Sequence, residues 1–161
     1  MQRKKFPGPD RRHLIRPGRS MQLRIESSVG YRDGSNLPTF VNLEWAGRVG
    51  HPSSYGLLGG TRARQPELRI WTSTSPFRQS LAGSADEVFW GLPAEYEEAI
   101  ERTLADQASA VNVGTAAHGM VGSSNLVFMR LTTLLCRLLG AGIPTDDDDV
   151  WRLLDSCWSE K

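Results

Sequence analysis

The sequence has 161 residues, with 19 lysines and arginines against 18 aspartates and glutamates and a hydrophobic fraction of 39%. That length suits one domain able to bury roughly 70% of its unfolded-chain surface, and the composition argues against wholesale disorder. Two cysteines, Cys136 and Cys157, are too few for a disulfide scaffold, no apolar signal core follows the basic start, and the apolar run 126–139 is broken by Arg130 and Arg137, so a soluble cytoplasmic protein with no membrane partner is expected.

Residues 1–20 hold seven basic residues and three prolines. They predict a mobile arm, either a solubilising leader or a nucleic-acid tether whose Arg11, Arg12, Arg16 and Arg19 meet phosphates. Up to Arg78 the chain carries 14 basic and 5 acidic residues, and from Gln79 onward 5 and 13. This asymmetry points to an anionic partner unless folding brings the halves together.

Leu23, Ile25 and Val29 alternate with polar residues, as do Val41, Leu43 and Trp45. With turn chemistry at Asp33-Gly34 between them, the two runs predict an antiparallel hairpin. Residues 47–64, dense in Gly, Pro and Ser, predict a long loop in which Gly59-Gly60, Arg62 and Arg64 could approach a phosphate. A third strand is expected at 67–74 and a short fourth at 87–90. Pro93 opens a helix with Glu95, Glu97 and Glu98 in its first turn, where the helix dipole favours negative charge. A fifth strand follows at 109–115, then a small-residue loop, 116–122, bearing His118 and Gly119. Ser123 or Ser124 caps a second helix to about Leu139, and Asp146–Asp149 start a short last one. The order predicts an α+β fold, with a four- to five-stranded sheet and two main helices on one face. The expected organisation is an arm at 1–20, a domain at 21–140, and an acidic linker with a short helix at 141–161.

Gly91, Pro93, Glu95, Tyr96, Ala99 and Ile100, followed after a strand by His118, Val121, Ser123, Ser124 and Phe128, resemble domain IV of the translational GTPase elongation factor G. Glu26 in RIESSV and Gly59-Gly60 before ELRIW extend the resemblance more loosely across 22–140. His118 lies one residue further from Ser123 than the family places it. The resemblance implies a ribosomal protein S5 domain 2-like fold and contact with the ribosome or structured RNA through tip loops, here those of Gly59, Gly60, Arg62, Arg64, His118 and Gly119. The chain has no GxxxxGK[ST] segment, so no phosphate-loop nucleotide cradle accompanies it.

His118 is equally an ordinary loop histidine, and Ser123-Ser124 before an apolar helix is explained by capping rather than by a hydrolase nucleophile, since no Gly-x-Ser-x-Gly elbow is present. His13, His51, His118, Cys136 and Cys157 lack paired-ligand spacing, and Asp146–Asp149 lack the alternation of a calcium loop, so neither metal nor cofactor is expected. Trp71, opposite Leu68 and Ile70, is a candidate base-stacking residue. The leading expectation is a non-catalytic RNA- or ribosome-binding module. The alternatives are a protein-binding module in which the acidic helix of Glu95–Glu101 and the Asp146–Asp149 segment face a basic partner and, behind it, a divergent enzyme on the same fold.

Overall fold

The computed structural model describes residues 10–28, 37–48, 51–70, 75–108 and 110–159, and its first element falls within the expected arm. Strand β1, Asp10–Ile15, pairs antiparallel with β2, Gln22–Ser27, from Asp10 opposite Ser27 to Ile15 opposite Gln22. Only Leu14 of β1 is buried, so the strand has no apolar alternation. Backbone pairing holds it, together with two arginines that cross to the C-terminal region. Arg12 Nη1 donates to the Pro144 carbonyl at 2.6 Å and its Nη2 to Asp147 at 2.5 Å. Arg16 forks onto both carboxylate oxygens of Asp155, each at 2.6 Å, with its guanidinium over the Trp151 ring. The expected mobile arm is therefore corrected over 10–20, while 1–9 lie outside the described residues.

Strand β3, Phe40–Ala46, pairs antiparallel with β2 as the alternation predicts, placing Leu23 opposite Trp45 and Ile25 opposite Leu43. The turn expected at Asp33-Gly34 lies outside the described residues. The expected loop 47–64 is corrected more heavily, because Tyr55–Arg62 form β4, a central strand with Tyr55 through Gly60 all buried. Glycine takes core positions here: a Cβ on Gly56 would stand 2.6 Å from Val127 Cγ1 and 2.9 Å from Leu131 Cδ1. A helix packs directly on backbone at that point, and the hydrophobic signal of the strand is erased with the side chain.

The expected third strand shortens to β5, Glu67–Leu68, and β6 spans Val88–Trp90. A 3₁₀ turn at Ala94–Tyr96 leads into α1, Glu97–Asp106. Strand β7 runs Val111–Gly119, through the segment expected to be the His118 loop, because Ala116 and Ala117 are small enough to be buried on opposite faces of a strand. Helix α2, Asn125–Ala141, is capped by Ser124 Oγ, which accepts from Val127 N at 3.3 Å, and α3 spans Asp147–Ser159.

Among the described residues the result is an α+β architecture with a seven-stranded, mostly antiparallel open sheet and three α-helices, more strands than the four or five expected. Its order is β1-β2-β3-β4-β7-β5, with β6 also on β7 and only β5 parallel to its neighbour. Leu23, Ile25, Leu43, Trp45, Leu58 and Val113 join Val127, Leu131 and Leu135 of α2 in the main core. The helices cover this one face. On the other, a smaller cluster of Ala46, Tyr55, Leu57, Val88 and Ala117 lies under the segment 75–87, which covers only one end of the sheet.

Candidate functional site

Strand alternation sends Phe40, Asn42 and Glu44 of β3, Leu57, Gly59 and Thr61 of β4, and Asn112 and Thr115 of β7 to the face away from the helices. Arg11 and Arg24 join them from β1 and β2. Among the described residues this face is uncovered beyond the segment 75–87 and holds two adjoining hollows. One, of about 340 Å³, lies between Phe40 and Asn42 on one side and Asn112 and Thr115 on the other, over the backbone of Gly59 and Gly60. The second, of about 290 Å³, shares Asn42 and Thr115 with the first and adds Arg11, Arg24, Glu44, Leu57, Phe77 and Trp90. The Phe77 and Trp90 rings pack at 4.3 Å between centroids. Arginines and carboxamides therefore share the uncovered surface, with the partly buried Phe77–Trp90 pair at the edge of the covering segment.

Glu44 is the polar hub beneath it, only 3% exposed. Its Oε2 accepts from the Tyr55 hydroxyl and from Leu81 N, both at 2.8 Å, and its Oε1 pairs with Arg24 at 3.1 Å. Both carboxylate oxygens have donors, so the burial is satisfied. Burial, reinforced by the Glu44 charge, pushes the Tyr55 hydroxyl far above the ordinary tyrosine range. At the rim Arg11 meets Glu26 at 3.5 Å with its own side chain 72% exposed, leaving it available to a ligand.

The expected site residues do not converge. Gly59 and Gly60 are strand backbone within the first hollow. Arg62, opposite Val111, falls on the helix side by alternation and is partly buried, whereas Arg64 is exposed just beyond β4. His118 lies seven residues along β7 from Val111, the partner of Arg62, about 20 Å at strand spacing, and three from Thr115, the partner of Gly59, about 10 Å. His118 is partly buried. Its Nδ1 is 2.9 Å from the Gly91 carbonyl, which fixes the proton on that nitrogen, and its ring is 6.2 Å from Phe89. The turn after Gly119 is equally tied, with Asp86 accepting from Val121 N at 3.1 Å and Gly122 N at 2.8 Å. Of the arm residues, Arg12 and Arg16 are fasteners to the C-terminal region, and Arg11 and Arg19 are exposed.

Several of the positions singled out together in the sequence contact one another. Gly91 holds His118, the Tyr96 hydroxyl donates to the Ser123 carbonyl at 3.1 Å, and the Tyr96 ring lies 4.9 Å from Phe128. They are joints between α1, β7 and α2. The residues that line the hollows, Phe40, Asn42, Asn112 and Thr115, went unrecognised in the sequence. Their one signal was an outward aromatic and amides alternating with Val41, Leu43, Val111 and Val113, plus Gly114 inside a strand pattern, a mark of a bulge. Trp71 lies outside the described residues. Among the described residues no three His, Cys, Asp or Glu side chains gather as metal ligands, and no helix is long and apolar enough to cross a membrane. No family model, curated protein or solved structure matches the chain.

Proposed function

We propose that this protein is a non-catalytic RNA-binding module of the cytoplasm, with the ribosome or another structured RNA as its partner, docking by the uncovered face of its sheet. The observation that carries the reading is the coincidence on that face of exposed Arg11 and part-exposed Arg24 with Phe77 and Trp90, beside a hollow floored by glycine backbone. Cations position a phosphate backbone, and flat rings and amides accept bases. Arg64 and Arg19 extend the exposed positive charge beyond the sheet. The same reading takes the arrangement as ribosomal protein S5 domain 2-like and related to domain IV of elongation factor G. The contacts Gly91–His118 and Tyr96–Ser123 support it, since the matching positions act together.

Binding to a ribosomal RNA fragment, measured across a salt series, tests the reading. The affinity falls linearly on a log–log plot with salt, and Arg11→Gln with Arg64→Gln lowers the slope by about one contact each. A flat salt dependence contradicts it. The alternative, a protein-binding module, rests on α1, where Glu97, Glu98, Glu101 and Asp106 are exposed, and it predicts binding of a basic protein that Arg11→Gln leaves unchanged.

A further inference from the structure

We infer that β1 is a self-association edge, through which two copies of this chain pair antiparallel and join their sheets about a two-fold axis at His13. Such pairing is independent of the RNA-binding reading, since it uses the rim of the sheet and not its open face.

The hydrogen-bond ladder fixes what that rim presents. Strand β1 ends the sheet order, with β2 as its neighbour. Arg16 N donates to the Met21 carbonyl at 3.0 Å, so in the same register the hydrogen-bonded pairs are Leu14–Leu23, Arg12–Ile25 and Asp10–Ser27. Across β2, Ser28 N donates to the Phe40 carbonyl at 3.3 Å, which commits the even-numbered residues of β2 to β3 and agrees with that assignment. The N–H and C=O groups of Arg11, His13 and Ile15 therefore point away from β2. Among the described residues no backbone group bonds them, and all three residues are exposed.

This edge lacks the devices that keep strand edges apart, such as proline, bulges and unpaired charge. Strand β1 contains no proline, and its six-residue register with β2 is unbroken. Its arginines are offset from within the chain, Arg11 by Glu26 at 3.5 Å and Arg12 by Asp147. Ile15 stands 66% exposed at its end.

The order of residues singles out a second copy as the occupant. Laid antiparallel on itself about His13, the segment 10–16 (DRRHLIR) sets Asp10 opposite Arg16, Arg11 opposite Ile15 and Arg12 opposite Leu14. Opposite charges meet at the ends, and the methylene stems of Arg11 and Arg12 lie along apolar side chains. This centred register engages all three free positions. A slip by two residues one way faces Arg12 with its own copy, and a slip the other way faces Arg12 with Arg16. Contact of the same patch on both partners is what a closed two-fold dimer requires. The axis stands perpendicular to the sheet, so both open faces lie on one side.

Sedimentation equilibrium of the full chain tests the inference, with His13→Lys, His13→Pro and the remote control Gly140→Ala. One strand pair is smaller than a standard interface, so a reversible dimer with a dissociation constant on the order of 10–100 μM is expected. His13→Lys sets two ammonium groups face to face and weakens it at least about fivefold. His13→Pro removes the central outward donor, which the β1–β2 ladder does not use, and leaves a monomer. Gly140→Ala associates as wild type. The register is read by cysteine pairing: His13→Cys crosslinks on mild oxidation, because hydrogen-bonded partners stand about 5.5 Å apart at Cα, within disulfide reach. Ile15→Cys, about 13 Å from its own copy, does not. The native Cys136 and Cys157 are buried and common to both variants. A wild-type monomer up to about tenfold above that range of concentration overturns the inference. So does a dimer that His13→Lys and His13→Pro leave unchanged, or crosslinking of Ile15→Cys as fast as His13→Cys. If His13→Pro fails to fold, His13→Lys and the cysteine pair decide.

Discussion

The hydroxyl of Tyr55 donates to Glu44 Oε2 at 2.8 Å across the β3–β4 pair, and both residues are buried. This bond, with the one from Leu81 N to the same oxygen, fastens the segment 75–87 to the sheet. Replacing Glu44 by Ala removes the acceptor of the buried Tyr55 hydroxyl and of Leu81 N, while Arg24, 41% exposed, stays hydrated, and is expected to cost about 2–3 kcal/mol in urea unfolding. Tyr55→Phe removes one bond and is expected to cost about 1–2 kcal/mol.

The same pair sets an alkaline limit. The Tyr55 hydroxyl titrates well above the usual tyrosine value, mainly through burial and secondly through the Glu44 charge. The unfolded chain therefore releases this proton at lower pH than the native protein does. Its contribution to stability is complete below about pH 10 and declines as pH rises above that. Thermal melts from pH 8 to 11 should show a loss for wild type that Tyr55→Phe reduces.

At the acid end, the Arg16 fork holds the Asp155 carboxyl below its ordinary value, the hydrogen bonds outweighing desolvation. Stability from this pair is present above about pH 4 and is lost as pH falls through the depressed native value. Asp155 is 48% exposed, so Asp155→Asn is expected to cost only about 1 kcal/mol at pH 7. That difference from wild type should shrink at pH 2–3 in denaturant titrations.

Two glycines should respond in opposite directions. Gly56→Ala drives a methyl into Val127 and Leu131 and is expected to destabilise by about 1–3 kcal/mol. Gly140 is helical and has no atom within 4 Å of a built Cβ. Gly140→Ala is expected to stabilise by about 0.5–1 kcal/mol, seen as a higher melting temperature.

His118→Ala separates a joint from a contact residue. Losing the bond to the Gly91 carbonyl should cost about 1 kcal/mol in unfolding, and binding of ribosomal RNA fragments should stay within about twofold of wild type.

Much of the fold was legible where side chains alternate. The β2–β3 hairpin, the Pro93 helix start, the Ser124 cap and the last helix all follow from period and capping. Legibility failed where the core is built from backbone or small residues. Tyr55–Arg62 reads as a loop because Gly56 and Gly60 occupy the helix side of the strand, and Ala116–Gly119 reads as a loop because alanines leave no period. Strand β1 was hidden for a different reason: Arg12 within it and Arg16 just after it pair with Asp147 and Asp155, more than 130 residues away in sequence, which no local pattern reveals. The site was less legible than the fold. Gly59 and Gly60 were singled out for phosphate approach and do floor a hollow, but the amides that frame it come from β3 and β7, which only the sheet order brings together.

Co-sedimentation of the full chain with ribosomes, at low and at physiological salt, tests the central claim most directly. The account predicts that the protein pellets at low salt and is progressively released as salt rises. Protein that stays in the supernatant at low salt, while circular dichroism shows it folded, would contradict it.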